Sequence, residues 1–326
     1  MKNHIRIIHS ALAVVLAAIF VFTFSACESS EENQDEPVDL PCTVEEVHPG
    51  KDESETTTDD DLSYTVNEVY SSRDGMKIYG KLYVPEESEG KMPAVVLSHS
   101  ANLNADSMNL YAAGFAERGF IAYAFDFCGS SSKSRSDGST DDMTLFSEIE
   151  DLKAALSAVS LMDNVDKDHI YLFGTSQGGL VTALAAEDCE AAVAGEILLY
   201  PAFNIPELVD MASGWGGLSG IFGGGYSQAF SDTLKDYDVY AHIGNFSKKV
   251  LIIHGSSDFI VNQSYSKRAA ERYGDCTLKI IDGAGHGFNK ENYSLGGSCD
   301  DKVWKFIDEY LGNPSLQYYG QKMQKN

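Results

Sequence analysis

The residues best suited to covalent chemistry lie in Gly174-Thr-Ser-Gln-Gly178, where glycines flank Ser176 in a Gly-x-Ser-x-Gly spacing. An apolar run, residues 170–173, precedes the serine, and Gln177-Gly-Gly-Leu-Val-Thr-Ala-Leu184 follows it, so Ser176 is expected on a sharp strand-to-helix turn. Such a turn strains the serine backbone and projects its hydroxyl from a sheet, while Gly174 and Gly178 let neighbouring chain pass closely. The helix N-terminus beyond it would set positive partial charge beside a developing anion.

A serine hydroxyl is a weak nucleophile near neutral pH and needs a positioned base. The chain has eight histidines. His4, His9, His48 and His242 fall in the N-terminal segments or in a long insertion, His169 precedes the serine's strand, and His99 and His254 close other strands. His286 sits in Asp282-Gly-Ala-Gly-His-Gly-Phe288, a glycine-flanked loop after the last apolar strand, from which its ring can reach over a sheet edge. That placement makes His286 the expected base. The acid that fixes the histidine tautomer should follow the penultimate strand, and Gly255-Ser-Ser-Asp258 supplies Asp258, with Asp282 as its rival. Two backbone N–H groups are needed for an oxyanion; Gln177 follows the serine, and Ala101 in His99-Ser-Ala-Asn-Leu103 is the expected second donor.

These residues must be positioned by regular elements. Residues 64–70 and 78–84 alternate polar and apolar around Asp74-Gly75, as an antiparallel hairpin does. Residues 94–98, 121–125, 170–173, 196–199, 250–254 and 278–281 are short, apolar and mostly unalternating, the pattern of parallel strands buried on both faces. Helical stretches fall between them at 144–162, 177–186, 264–273 and 300–311; in the first of these Leu145, Ile149, Leu152, Leu156 and Val159 recur at helical spacing. Alternating strands and helices predict an α/β class with a mostly parallel, doubly wound sheet, an N-terminal antiparallel hairpin and right-handed crossovers. The connection over residues 203–249 is too long for a simple loop. With Gly214-Trp-Gly-Gly-Leu-Ser-Gly220 and Gly223-Gly-Gly225 it reads as a cap over the site, in which Phe203, Trp215, Phe222, Tyr226 and Phe230 either wall a substrate or pack the cap itself.

With 43% hydrophobic and 11% aromatic residues in 326, the chain can bury a sizeable core. The first 26 residues stand apart: Lys2 and Arg6 precede an apolar run over 11–24 that ends in Ser25-Ala26-Cys27, the form of a secretory signal peptide. Residues 28–62 then carry 14 acidic residues and one lysine, so residues 27–62 read as an extended, disordered stalk. The domain over residues 63–326 keeps a net charge of −14 of the chain's −25, which disfavours nucleic acid and other polyanions as partners. Beyond Cys27, the five cysteines 42, 128, 189, 276 and 299 show no metal-ligand spacing, so no metal or other cofactor is expected. Cys276 and Cys299 are candidates for a disulfide.

Phe24-Ser25-Ala26-Cys27 resembles the lipobox of bacterial lipoproteins, which implies lipidation of Cys27, a membrane anchor and an extracytoplasmic domain. From about residue 64 to residue 312 the chain also resembles bacterial α/β-hydrolases of the cinnamoyl/feruloyl esterase group. The shared landmarks are Leu97-Ser-His99, Asp126-Phe-Cys-Gly-Ser130, Glu148-Ile-Glu-Asp151, the Ser176 motif, His254-Gly-Ser-Ser-Asp258 and Gly283-Ala-Gly-His286. The resemblance implies an α/β-hydrolase fold with a cap, a triad of Ser176, Asp258 and His286, oxyanion donors at Gln177 and Ala101, and hydrolysis of a small-molecule carboxylic ester through an acyl-enzyme. No protein partner is implied. The chain departs from that group in having His99-Ser100 for His-Gly, and Gly129-Ser-Ser for Gly-His-Gly, both beside the acyl pocket. A peptidase or amidase of the same fold is the alternative reading, and a non-catalytic surface binding protein a further one.

Overall fold

The Asp74-Gly75 hairpin has positive φ at both turn residues, 52° and 81°, the requirement of a two-residue turn that follows strand twist. It joins β1 (Tyr64–Arg73) to β2 (Met76–Pro85) in antiparallel register. Six more strands follow: β3 (Met92–Ser98), β4 (Ile121–Phe125), β5 (Val165–Thr175), β6 (Gly195–Leu199), β7 (Lys249–Gly255) and β8 (Cys276–Ile281). They form one eight-stranded sheet in the order β1-β2-β4-β3-β5-β6-β7-β8. From β4 to β8 every neighbouring pair is parallel, and only the hairpin side is antiparallel. The computed structural model describes residues 63–86, 90–189, 192–212, 226–288 and 300–312, all within one unit, Cys42–Asn326. The segments read as signal peptide and stalk, Cys27 and Cys42 among them, lie outside these residues, as do Trp215, Phe222 and Cys299.

Every residue of β4 and of β6 is buried, as expected of apolar runs covered on both faces. Alternation sorts their side chains into two cores. Ala94 and Val96 of β3 face the layer of α2 (Leu145–Ser160) and α3 (Gln177–Cys189). Val95 and Leu97 face α1 (Asn109–Ala116) and the C-terminal helix (Asp300–Leu311). Burying each such Val, Leu or Ile contributes about 1.5–3 kcal/mol, so both faces must be covered for the strands to persist. The second helix starts at Thr144 through reciprocal bonds with Ser147: the Ser147 amide donates to Thr144 Oγ1 at 3.0 Å and the Thr144 amide to Ser147 Oγ at 2.9 Å.

Two elements differ from the sequence pattern. The fifth strand runs from Val165 rather than residue 170, because Val165 pairs with Met92 while the polar stretch between 166 and 169 lies on the exposed lower edge. The first helix is nearly apolar all round and eight residues long, so its periodicity is too weak to mark it. In the connection from β6 to β7 the described parts are α4 (Ile205–Ala212), α5 (Gln228–Leu234) and a single 3-10 turn, Val239–Ala241. Phe203 and Phe230 are buried in the core beneath α2 and α3.

The chain leaves β3 to pair β4 on one side and returns to β5 on the other, so the loops beyond the C-terminal ends of β3 and β5 diverge. In open α/β sheets such a reversal opens the crevice where ligands bind.

Candidate active site

Ser176 stands at this crevice, one residue past β5 and one before α3, with φ at +52°. A non-glycine residue in that region is strained and needs surroundings that hold it. Two backbone bonds do so: the Ser176 amide donates to the Leu199 carbonyl at 3.0 Å, and the Ala202 amide donates to the Ser176 carbonyl at 2.9 Å. The flanking glycines are set by space. A Cβ on Gly174 would lie 2.3 Å from the Gly178 carbonyl oxygen, and one on Gly178 would lie 2.4 Å from the carbonyl oxygens of Ser98 and His99. Ser176 is 9% exposed.

His286 and Asp258 meet this hydroxyl in a line. His286 Nε2 is 3.0 Å from Ser176 Oγ, and His286 Nδ1 is 2.7 Å from Asp258 Oδ2. A Cβ on Gly255 would lie 2.2 Å from the Ala284 carbonyl oxygen, so only glycine lets the histidine loop settle against β7. Asp258 is buried, and its Oδ1 accepts from the amides of Ile260 and Val261, both at 2.9 Å. His254 is buried beneath it. Its Nε2 lies 2.8 Å from the Val261 carbonyl and 3.2 Å from Asp258 Oδ2, so this nitrogen carries the proton and donates, while Nδ1 faces Ser266 Oγ at 2.7 Å. Burial pushes the Asp258 carboxyl up, but the bonds from His254, His286 and the Val261 amide outweigh it and hold the group well below the usual carboxylate range. An ionised Asp258 accepts the Nδ1 proton of His286, leaving the Nε2 lone pair toward Ser176. The rival Asp282 is exposed and accepts from Ser256 Oγ at 3.0 Å.

The loop after β3 is pinned by His99. The Phe127 amide donates to His99 Nε2 at 3.2 Å, so Nδ1 bears the proton and donates to the Ser100 carbonyl at 2.8 Å. Burial pulls the His99 pKa down to about 4, which keeps the ring neutral. Because the N–H and C=O of a trans peptide point oppositely, the Ala101 amide is turned away from His99. Gln177, the other expected donor, begins α3, and its buried side chain is held on both ends. Its Nε2 lies 3.0 and 2.8 Å from the two oxygens of Glu148, and the Tyr226 hydroxyl donates to its Oε1 at 2.9 Å. Burial raises the Glu148 pKa to about 8. Residue type and spacing do not mark Glu148, His254 or Tyr200 as parts of the site; Glu148 and His254 only open two of the landmark runs, Glu148-Ile-Glu-Asp151 and His254-Gly-Ser-Ser-Asp258, and Tyr200 belongs to none. Among the described residues no group of three or more His, Cys, Asp or Glu side chains gathers as a metal-ligand set.

Residues 91–228 match the family model for serine aminopeptidase, S33. Among curated proteins the chain is similar to the α/β hydrolase domain-containing protein 17B of Xenopus tropicalis, 26% identical over 230 residues, covering 67% of each chain. The chain spans between 33% and 67% of the lengths of the first curated relatives it matches. Among solved structures it is similar to Est1E from Butyrivibrio proteoclasticus with ferulic acid bound, at 24% identity and a TM-score of 0.63, covering 74% of this chain and 99% of that one. It is also similar to acetyl xylan esterase 1 from a Thermoanaerobacterium species, at 20% identity and a TM-score of 0.55, covering 81% and 87%. The fold common to these is the α/β-hydrolase fold.

Proposed function

We propose that this chain, a member of the α/β-hydrolase superfamily, is a serine carboxylesterase that cleaves small-molecule esters through an acyl-enzyme on Ser176. The observation that carries the reading is the continuous hydrogen-bonded line from Ser176 Oγ through His286 to a buried Asp258, at 3.0 and 2.7 Å. In the proposed cycle Ser176 Oγ attacks the ester carbonyl while His286 Nε2 takes its proton, and Asp258 stabilises the imidazolium. The amides of Gln177 and Ala101 would hold the oxyanion. His286 then protonates the departing alcohol, and a water activated by the same nitrogen releases the acid.

The solved neighbours, one with ferulic acid bound and one an acetyl xylan esterase, support aromatic or short acyl esters as substrates. Phe259 and Ile260, directly beyond Asp258, are 85% and 55% exposed and give the acid loop an apolar surface that suits such groups. Replacing Ser176 by Ala is expected to lower p-nitrophenyl acetate turnover by about three orders of magnitude or more while circular dichroism stays unchanged; activity retained in that variant would remove the assignment.

The match to the serine aminopeptidase model favours one second reading, cleavage of an amide bond by the same three residues. Turnover of aminoacyl p-nitroanilides without turnover of esters would select it. For placement in the cell, the apolar leader and Ser25-Ala26-Cys27 support export and lipidation at Cys27, with residues 27–62 as the tether. Incorporation of labelled palmitate in the wild type and its loss in Cys27→Ala tests that placement.

A further inference from the structure

We propose that Tyr200 is a positioning residue whose ring holds the imidazole of His286 in line with Ser176, an inference that rests on the esterase reading of the same site. Tyr200 is the first residue past β6, between the strand that carries the serine and the strand that leads to Asp258. Its φ is +39°, an outlying value for a bulky side chain. Strain of this kind persists only where the surroundings over-determine it. Here the Tyr200 amide donates to the Ile253 carbonyl of β7 at 2.8 Å, while Leu199 just before it and Ala202 two residues after it bond the backbone of Ser176.

The strained backbone delivers a buried ring against the base. The Tyr200 and His286 rings are 4.5 Å apart between centroids and tilted by 60°. Phe288 backs Tyr200 edge-on at 5.0 Å and itself has φ of +47°. The far end of the tyrosine reaches the hydroxyls of Thr175 and Ser100, which lie 2.8 Å from each other. A wall is needed because the bonds that tie the histidine loop, from the Gly283 amide to Ser256 Oγ at 2.8 Å and from the Ser257 amide to the Ala284 carbonyl at 2.9 Å, hold its backbone and not the imidazole ring. Asp258 fixes His286 Nδ1 through one bond, and one bond fixes a point without stopping the ring from swinging about it. The Tyr200 ring blocks that swing and keeps Nε2 at 3.0 Å from Ser176 Oγ.

The test uses the full chain with Tyr200→Phe, Tyr200→Leu and Tyr200→Gly, the last relieving the positive φ so that loss of fold does not mask loss of the ring. Steady-state p-nitrophenyl acetate hydrolysis is expected to fall at least about tenfold in kcat for the Leu and Gly variants, with KM within about twofold, and to be kept by the Phe variant. In the same samples the downfield proton resonance of His286 Nδ1 is expected to persist in wild type and Phe and to broaden or vanish in Leu and Gly. Unchanged kcat in Leu and Gly, a change in KM alone, a Phe variant as impaired as Leu, or a Nδ1 resonance insensitive to all three overturns the role of Tyr200. A wild-type chain without ester turnover sinks the esterase reading instead, and the Nδ1 resonance still reports on positioning.

Discussion

Asp258 shows how much of a carboxylate's orientation and charge is set by the groups packed around it. Its Oδ1 takes two backbone amides, and its Oδ2 is met by His286 and approached by His254. These bonds fix both the orientation of the carboxylate and its charge, against a burial that alone would favour the neutral acid. Replacing Asp258 by Asn keeps the shape but turns the bond to His286 Nδ1 into one that can favour the wrong tautomer. The expected loss in kcat is about four orders of magnitude, with KM little changed, read by steady-state kinetics on p-nitrophenyl acetate; a loss below about tenfold would place the acid elsewhere. That Ser176, Asp258 and His286 lie together could be expected from the sequence, because each is marked by glycine spacing and by its place after an apolar run. The places of Tyr200 and Glu148 could not. Tyr200 is set apart by a backbone angle, and Glu148, although it opens the run Glu148-Ile-Glu-Asp151, by a tertiary contact with Gln177 that spacing does not reveal.

At the level of the element, the turn around Ser176 holds strain that the strand and helix on either side sustain. The serine keeps φ at +52° because its amide is bonded to the last residue of β6 and its carbonyl to the turn beyond, and because Gly174 and Gly178 let three chain segments crowd together. Glycine at position 176 would adopt that angle without the steric penalty, whereas alanine would not. Ser176→Gly is therefore expected to raise thermal stability over Ser176→Ala by about 1 kcal/mol, although both are inactive. Equal melting temperatures by calorimetry would mean that the turn is unstrained. Helix and strand types were readable wherever periodicity ran for several residues. The lower half of β5 was not, since its exposed polar residues are held by pairing to Met92 and not by their own pattern.

Over the whole molecule, buried carboxyls make folding depend on pH. Glu196 lies on β6 with no exposure, and burial pushes its pKa up to about 8. Glu148 is raised to about 8 in the same way. A carboxyl whose pKa is higher folded than unfolded holds a proton that the unfolded chain releases. Its contribution is therefore complete at acid pH and is lost as pH climbs through the folded value, by up to about 1.4 kcal/mol per pH unit. Glu196→Gln cannot ionise, so its melting temperature relative to wild type is expected to rise steadily from about pH 5 to about pH 8. A constant difference over that range would show that Glu196 does not titrate on unfolding. The sequence gives no hint of this, because residues 196–199 read simply as a buried strand.

Esterase chemistry at this site requires that one histidine make one serine reactive, and covalent labelling tests that most directly. A fluorophosphonate probe reacted with the full chain and mapped by peptide mass spectrometry should add its phosphonyl group at Ser176 alone, and His286→Ala should abolish the adduct. A wild-type chain that stays unlabelled, or that carries the adduct on another residue, would contradict the account.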